Sequence, residues 1–294
     1  MKKKFISLRK IILLCSLVIL TLLLIKDTIY VLGNNQERDN LISAKKLKEI
    51  IDNDDVKLLF INDNNLPNDF IDKTRIINLD DIEIKSNNSR YVVDKKKMSS
   101  ILRDMSINNQ DLIIIYDNNN SPYATRLYWS LKLYGHEFLK ILDGGLSSWI
   151  NEGYSTTKQL DKSSPTNYVI GKKNDKMIAD IGNIKEAIES QEEIIIDVRS
   201  KEEYDKGHIP SAVNIPYYVA LDNNGFFKNN ENLRKIYNDK GVTPEVNNVY
   251  VYCTYGIQST FTYFVLNELL KYSNVIVYDG SFSEYLHLGL PIEK

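Results

Sequence analysis

Short apolar runs alternate with stretches of helical periodicity along most of the chain, and this pattern occurs twice. Residues 111–153 and 248–289 each begin with an apolar run that ends in a tyrosine, followed by a polar loop and an aromatic-rich stretch of helical periodicity. Each then continues with a second apolar run, Leu139–Leu142 or Val275–Tyr278, that closes on Asp-Gly. The repeated order predicts strand, loop, helix, strand, turn and helix in both halves, as an internal duplication would produce.

Each half also has a helix-like stretch and a short apolar strand upstream of this repeat. Leu47–Ile51 precedes Val56–Ile61 in the first half, and Ile184–Ile188 precedes Ile194–Ile196 in the second. Short apolar strands that alternate with helices are typical of βαβ units on a parallel sheet. We therefore predict an α/β protein with two domains, each a parallel sheet flanked by helices. The chemistry of such sheets lies at the carboxyl ends of the strands.

Shifts in polarity divide the chain into four segments. Residues 1–33 form an N-terminal signal or anchor segment, 43–155 the first domain, 156–176 a polar and mostly aperiodic linker, and 177–294 the second domain. The length of 294 residues fits two domains, because roughly 150 residues per domain is the usual prior.

The N-terminal segment has the pattern of a membrane-targeting sequence. Residues 1–10 carry five Lys or Arg side chains, and residues 11–25 contain no charged residue. The positive flank predicts a cytoplasmic N-terminus with both domains outside the membrane. The apolar stretch is shorter than the ~20 residues usual for a spanning helix, but no Ala-x-Ala cleavage site follows it, and Lys10 and Lys26 can extend the span. We therefore expect a cell-membrane anchor, with a cleaved signal and a secreted product as the alternative.

The charge balance and the cysteine count exclude several function classes. The chain has 37 Lys and Arg against 39 Asp and Glu, which argues against a nucleic-acid binder that uses a broad basic face. Two cysteines, Cys15 and Cys253, are too few for a disulfide framework or an all-cysteine zinc site. The three histidines lack the spacing of metal ligands, so we expect no metal site. Because Cys15 lies within the apolar segment, Cys253 is the one thiol of the two domains.

Cys253 stands where a parallel α/β sheet places its reactive groups, after the apolar strand that ends at Tyr252 and before a predicted helix. Backbone N–H groups of a short loop that curls into a helix N-terminus create a positive potential and should stabilise a thiolate. Gly256 permits the tight curl, and Ser259 is expected to cap the helix. The alternative at this point is an inert, buried cysteine. The predicted substrate-binding loop consists of Thr254, Tyr255, Gly256, Ile257, Gln258 and Ser259.

Three segments of the second half resemble the catalytic domain of the rhodanese family. They are DVRSKEEYDKGHIPSAVNIP at 197–216, YCTYGIQS at 252–259 and VYDGSFSEYLHLGLPIE at 277–293. The resemblance extends over residues 43–294, and the duplication is similar to that of the tandem-domain sulfurtransferases. The first half matches well only in RLYWSLKLYG and LDGGLSSWINEG, and it has Asp117 at the place of the nucleophile. This departure fits the non-catalytic partner domain that is usual in the family.

The resemblance implies that Cys253 takes the sulfane sulfur of a donor such as thiosulfate or 3-mercaptopyruvate. The cysteine would hold that sulfur as a persulfide and pass it to cyanide or another thiol, with no metal and no organic cofactor. Asp197 and Arg199 are expected to support the site. Arg199 is the nearest candidate cation for an anionic donor, and an ion pair with Asp197 is its alternative role. The loop carries no charge, and Glu203 occupies a place that can hold an Arg in the family, so the donor stays open.

Two other functions compete with the enzyme. A non-enzymatic extracytoplasmic persulfide carrier or sulfur-sensing module would present the same cysteine to a partner protein, so the residues separate it poorly from a sulfurtransferase. A phosphatase or arsenate reductase would need a Cys-x5-Arg loop to hold a tetrahedral oxyanion, and Ser259 occupies the position of that arginine. The sequence therefore argues against the phosphatase, and the complete motif around Cys253 favours the enzyme over the carrier.

Overall fold

The computed structural model describes residues 38–86, 88–118, 122–161 and 164–294. The predicted N-terminal segment 1–33, with its apolar stretch 11–25 and Cys15, lies outside the described residues. Within the described ranges, no helix has both the length and the apolar character needed to cross a membrane.

The described strands form two five-stranded parallel sheets and one antiparallel hairpin. The strands of the first domain are β1 (Leu41–Ile42), β2 (Val56–Asn62), β3 (Thr74–Asn78), β4 (Glu83–Ser86), β5 (Ser89–Val92), β6 (Leu112–Tyr116) and β7 (Leu139–Leu142). Those of the second domain are β8 (Ile178–Ala179), β9 (Glu193–Asp197), β10 (Val213–Asn214), β11 (Asn248–Tyr252) and β12 (Val275–Tyr278). The sheet orders are β1-β7-β6-β2-β3 and β8-β12-β11-β9-β10, so each strand of one sheet has a counterpart in the other.

Helices flank both sheets. Those of the first domain are α1 (Ala44–Ile50), α2 (Lys95–Asp104), α3 (Pro122–Leu133) and α4 (Gly145–Asn151). Those of the second domain are α5 (Ile181–Glu189), α6 (Lys201–Lys206), α7 (Asn230–Asn238), α8 (Ile257–Tyr263) and α9 (Ser281–His287), and α8 continues as a π-helical turn over Phe264–Leu269. The predicted α/β class with two parallel sheets flanked by helices is confirmed.

The two sheets are held by the apolar runs that the sequence pattern identifies as strands. In β6, Ile113 to Tyr116 are all buried, and in β11 Val249 to Tyr252 are all buried. A central strand of a parallel sheet has helices on both faces, so both of its side-chain rows are apolar. The residue that follows each of these strands, Asp117 after β6 and Cys253 after β11, lies at the carboxyl edge of its sheet.

The two domains pack together through equivalent helices. Helix α3 of the first domain lies against α8 of the second, and the rings of Tyr128 and Phe264 meet edge to face at 4.9 Å. Most of α3 is buried, including Trp129. Because α3 and α8 each follow the central strand of their sheet, this packing brings the loop after β11 next to the first domain.

The Asp-Gly pairs of the sequence repeat join the domains. Asp143 Oδ1 accepts a hydrogen bond of 3.1 Å from the Phe227 N–H of the second domain, and Asp279 Oδ2 accepts one of 2.8 Å from the Val92 N–H of the first. Val92 ends the β4–β5 hairpin, for which the sequence pattern predicts nothing. The repeat therefore marks the interface between the domains as well as their internal order.

The segment between the domains lies along the first domain. Thr157 exchanges two backbone hydrogen bonds with Phe70, and the side chain of Tyr168 is buried beside His136. The His136 ring nitrogens are 3.0 Å from the Tyr168 hydroxyl and 3.0 Å from the Asp111 carbonyl oxygen. Burial lowers the pKa of His136, because the buried ring disfavours a charge.

Candidate active site

Cys253 directly follows β11 and is buried, with 2% of its surface exposed. The backbone N–H and carbonyl of Cys253 are both held by the first two residues of α9. The Cys253 N–H donates to Ser281 Oγ at 3.4 Å, and the Cys253 carbonyl accepts from the Phe282 N–H at 3.0 Å. Ser281 is itself buried and has a positive φ of 54°, a strained conformation for a non-glycine residue. The nucleophile candidate is therefore held on a rigid edge of the sheet.

The loop after Cys253 turns back onto the sulfur atom. The Gly256 N–H donates to Cys253 Sγ at 3.0 Å, and Gly256 has a φ of 89°, in the left-handed region that favours glycine. A Cβ at this position would lie 2.9 Å from the Asp279 carbonyl oxygen, closer than real contacts allow. Gly256 thus allows the loop to turn tightly and to pass close to Asp279, and its N–H binds the sulfur.

The prediction that Ser259 caps the following helix is wrong. Gly256 is the N-cap residue of α8, so Ser259 is the third residue of the helix. Its hydroxyl donates to the Gly256 carbonyl at 3.0 Å and lies 3.9 Å from Cys253 Sγ. Because the left-handed turn at Gly256 caps α8, the helix starts three residues earlier than it would with Ser259 as the cap. The Ser259 hydroxyl therefore lies within the first turn of the helix, near the sulfur.

A cavity of about 810 Å³ opens above Cys253 between the two domains. The second domain contributes Cys253, Glu203 and Tyr217 together with four of the six predicted loop residues, Thr254, Tyr255, Ile257 and Gln258. The other two, Gly256 and Ser259, are buried and are not among the lining residues. The described part of the first domain contributes Arg90, Asn118, Pro122 and Tyr123. The candidate site is therefore built from both halves of the duplication.

A buried ion-pair network connects the first domain to the turn around the cysteine. Arg126 of α3 is fully buried; its Nη1 lies 2.6 Å from Asp279 Oδ1, and its Nε lies 3.1 Å from Glu83 Oε1. Nη1 also donates to the Gly256 carbonyl at 3.4 Å. Burial alone would lower the pKa of Arg126, but the carboxylates of Asp279 and Glu83 outweigh burial and raise the pKa. A charged group of the first domain thus holds the loop that carries the thiol.

Arg199 forms the ion pair with Asp197, which is the second of the two roles considered for it. The side chain is 4% exposed, and its Nε donates to both carboxylate oxygens of Asp197 at 3.0 Å. Its Nη2 donates to the Gly207 carbonyl at 2.8 Å, and the guanidinium stacks 4.0 Å from the centre of the Phe282 ring. Asp197 also accepts from the Tyr252 hydroxyl at 2.7 Å. This pair stabilises the loop after β9, and neither of its side chains is among the described residues that line the cavity.

The place equivalent to Cys253 in the first domain is occupied by a capping carboxylate. Asp117 follows β6 and is 1% exposed, and its Oδ2 accepts from the N–H groups of Tyr123 at 3.0 Å and Ala124 at 2.8 Å. Its carbonyl accepts from the Leu146 N–H at 3.2 Å, as that of Cys253 does from Phe282. Asp117 therefore preserves the fold of the turn and initiates α3 rather than facing the cavity.

Sequence reasoning missed the contribution of the first domain to the site. The mostly apolar helix PYATRLYWSLKL contains two cations, and Arg126 lies in its middle whereas Lys132 lies in its last turn. A cation at a central, apolar position is a signal for a buried ion pair. Arg90 belongs to the unpredicted β4–β5 hairpin and carried no comparable signal. As for metals, no group of three or more His, Cys, Asp or Glu side chains in the described ranges is arranged to hold an ion.

Comparison with known proteins agrees with this geometry. A family model described as "Rhodanese-like domain" matches residues 43–152 and 180–288. A protein of Saccharopolyspora erythraea named "Putative thiosulfate sulfurtransferase" is 34% identical over 229 residues, which cover 72% of this chain and 80% of that protein. A protein of the same name from Mycobacterium leprae is 36% identical over 221 residues, covering 69% of this chain and 79% of its own.

Solved structures share the fold at lower identity. SseA of Escherichia coli, described as a 3-mercaptopyruvate sulfotransferase, has a TM-score of 0.75 at 22% identity and covers 83% of this chain and 98% of its own. An anaerobic ergothioneine biosynthesis enzyme of Chlorobium limicola has a TM-score of 0.78 at 19% identity, covering 88% and 71%. The chain therefore belongs to the rhodanese-like domain family, as a tandem-domain sulfurtransferase.

Proposed function

We propose that the chain transfers the sulfane sulfur of thiosulfate or 3-mercaptopyruvate, through a persulfide on Cys253, to cyanide or a thiol acceptor. The observation that carries this proposal is the position of Cys253 Sγ, which lies at the base of the interdomain cavity and accepts the Gly256 N–H at 3.0 Å. A fixed backbone N–H at this distance can stabilise negative charge that develops on the sulfur during transfer.

In the loading step the Cys253 thiolate attacks the outer sulfur of the donor. The new S–S bond forms as the donor's bond to that sulfur breaks, and the electron pair of that bond leaves with the remainder of the donor. Thiosulfate releases sulfite in this way. 3-Mercaptopyruvate releases pyruvate, and the proton of its thiol ends on the carbon that loses sulfur. Neither reaction needs an external oxidant or reductant.

In the unloading step an acceptor attacks the outer sulfur of the persulfide. The S–S bond breaks, its electron pair returns to Cys253 as thiolate, and cyanide leaves as thiocyanate or a thiolate leaves as its persulfide. The added sulfur lies about 2 Å beyond Sγ, the usual length of an S–S bond. Backbone N–H groups of the loop can stabilise its negative charge without a side-chain base.

A persulfide carrier or sulfur-sensing module remains the second candidate, and its partner would have to reach the same atom. Cys253 is 2% exposed and faces a cavity of about 810 Å³, which admits a small acceptor directly. The burial of the sulfur at the base of this cavity favours turnover with small molecules over presentation of the sulfur to a large protein surface.

The test is to expose the full chain to each donor and to measure both sulfur uptake and thiocyanate release with cyanide. The proposal expects one added sulfur atom per chain and repeated release of thiocyanate, both lost in Cys253→Ser. An adduct that never turns over would favour the carrier. No uptake from either donor would contradict the enzyme.

For the location of the chain, we propose that residues 11–25 anchor it in the cell membrane with the N-terminus in the cytoplasm and the domains outside. Support comes from the positive charges of residues 1–10 and from the lack of charge over residues 11–25. After carbonate extraction, the chain should remain with the membranes. A soluble product that begins near Asn34 would contradict the anchor and favour a cleaved signal.

A further inference from the structure

Two charged side chains face the cavity above Cys253 among the described residues that line it. Arg90 comes from β5 of the first domain, and Glu203 comes from α6 of the second. Glu203 Oε1 lies 3.5 Å from Thr254 Oγ1, and the guanidinium carbon of Arg90 lies 6.0 Å from the centre of the Tyr255 ring. The two opposite charges therefore adjoin consecutive residues of the cysteine loop.

Arg90 has donors left for a ligand. Its ion pairs with Glu83 at 3.0 Å and Asp80 at 3.7 Å both engage Nη1. Glu83 is shared with the fully buried Arg126, so Arg90 does not neutralise it alone. Nε and Nη2 form the planar edge that binds a carboxylate or sulfonate through two parallel hydrogen bonds. The side chain is 30% exposed and lines the cavity, so Arg90 is within reach of a molecule that binds there.

Glu203 restricts which anion the cavity accepts. A donor with two negative charges would bring its second charge into a cavity that is lined by the exposed carboxylate of Glu203, and like charges repel. A donor with one anionic group can pair it with Arg90 and present a neutral sulfur to Cys253. 3-Mercaptopyruvate has this form while its thiol is protonated, whereas thiosulfate is a dianion.

We propose that Arg90 of the first domain binds the anionic group of the sulfur donor, and that Glu203 makes the site prefer a monoanionic donor such as 3-mercaptopyruvate over dianionic thiosulfate. This assignment rests on the proposed sulfur transfer at Cys253. It gives the first domain, which lacks a nucleophile, a direct part in substrate recognition. It also supplies the positive charge that the cysteine loop itself lacks.

The test compares the full chain with Arg90→Gln, Arg90→Lys and Glu203→Gln, using Lys96→Gln as the matched control. Lys96 is an exposed cation of α2 that does not line the cavity. KM and kcat are measured for each donor, with cyanide as acceptor. Loss of a charge-assisted hydrogen bond should raise KM for 3-mercaptopyruvate about tenfold or more in Arg90→Gln, with a smaller change in kcat. Arg90→Lys should recover part of that loss, and Lys96→Gln should leave KM unchanged.

Glu203→Gln should lower KM for thiosulfate by a larger factor than KM for 3-mercaptopyruvate. The proposal would be overturned if Glu203→Gln changed KM by the same factor for both donors. It would also be overturned if KM for 3-mercaptopyruvate in Arg90→Gln stayed within about twofold of the wild type. Sulfur uptake at saturating donor is measured by intact mass in the same samples. If the wild type takes up sulfur normally but Arg90→Gln has the same KM for each donor as the wild type, the Arg90 assignment alone fails. If the wild type takes up no sulfur, the proposed function fails.

Discussion

Replacing Arg126 by Met should lower the free energy of unfolding by about 3 kcal/mol, because the substitution removes the cation from a buried ion-pair network. The two carboxylates that pair with Arg126, Asp279 and Glu83, are 2% and 7% exposed. Removing one partner of such a pair costs about 3–5 kcal/mol. Glu83 would keep its ion pair with Arg90 at 3.0 Å, and Asp279 would keep the Val92 N–H at 2.8 Å, so we expect the lower end of this range.

The assay is urea unfolding followed by circular dichroism, with Arg103→Met as the matched control. Arg103 is exposed, and its side chain donates a hydrogen bond of 3.0 Å from Nε to the Tyr168 carbonyl, so loss of the side chain should cost about 1 kcal/mol or less. Arg126→Met should also lower the rate of sulfur transfer, because Gly256 and Asp279 lose the cation that holds the cysteine loop. An Arg126 variant no less stable than the control would refute the role given to this network.

Three further predictions concern the loop, a buried histidine and the first domain. Gly256→Ala should slow thiocyanate release about tenfold, because its Cβ would lie 2.9 Å from the Asp279 carbonyl oxygen and displace the N–H from sulfur; an unchanged rate would contradict this. Since burial lowers the pKa of His136 from 6.5, the stability it contributes is present above that pH and lost as the pH falls below it. Urea unfolding of His136→Gln should therefore show a weaker loss of stability in acid, and an identical loss would count against this role. Asp117→Cys combined with Cys253→Ser should release no thiocyanate, because residue 117 does not line the cavity, and any release would show a second competent site.

The parts of the fold that carry a strong apolar pattern were predictable from the sequence. Leu139–Leu142 and Val275–Tyr278 are strands with the predicted bounds, and the predicted strand Val56–Ile61 extends by one residue in the structure. Most side chains of these strands are buried, and only Lys57 and Lys140 interrupt the apolar runs, as is typical of strands with helices on both faces of the sheet. The β4–β5 hairpin is different, because Lys85 and Ser86 are exposed and its position depends on contacts with the second domain.

The candidate site was predictable only where the chemistry is local in sequence. Cys253 and its loop are contiguous, and the spacing between the apolar strand and Gly256 indicates their arrangement. Arg90 and Glu203 meet the same cavity from different domains, and no periodicity encodes that approach. For Arg199 the sequence left two roles open, because a cation two residues from Asp197 can either bind it or face a ligand. The structure assigns the ion pair through the burial of both side chains.

The most direct test of the account is the intact mass of the full chain after incubation with 3-mercaptopyruvate or thiosulfate, followed by mapping of the modified peptide. The account predicts a gain of one sulfur atom on the peptide that contains Cys253, removed by cyanide and absent in Cys253→Ser. Sulfur uptake that persists in Cys253→Ser, or no uptake by the wild type from either donor, would contradict it.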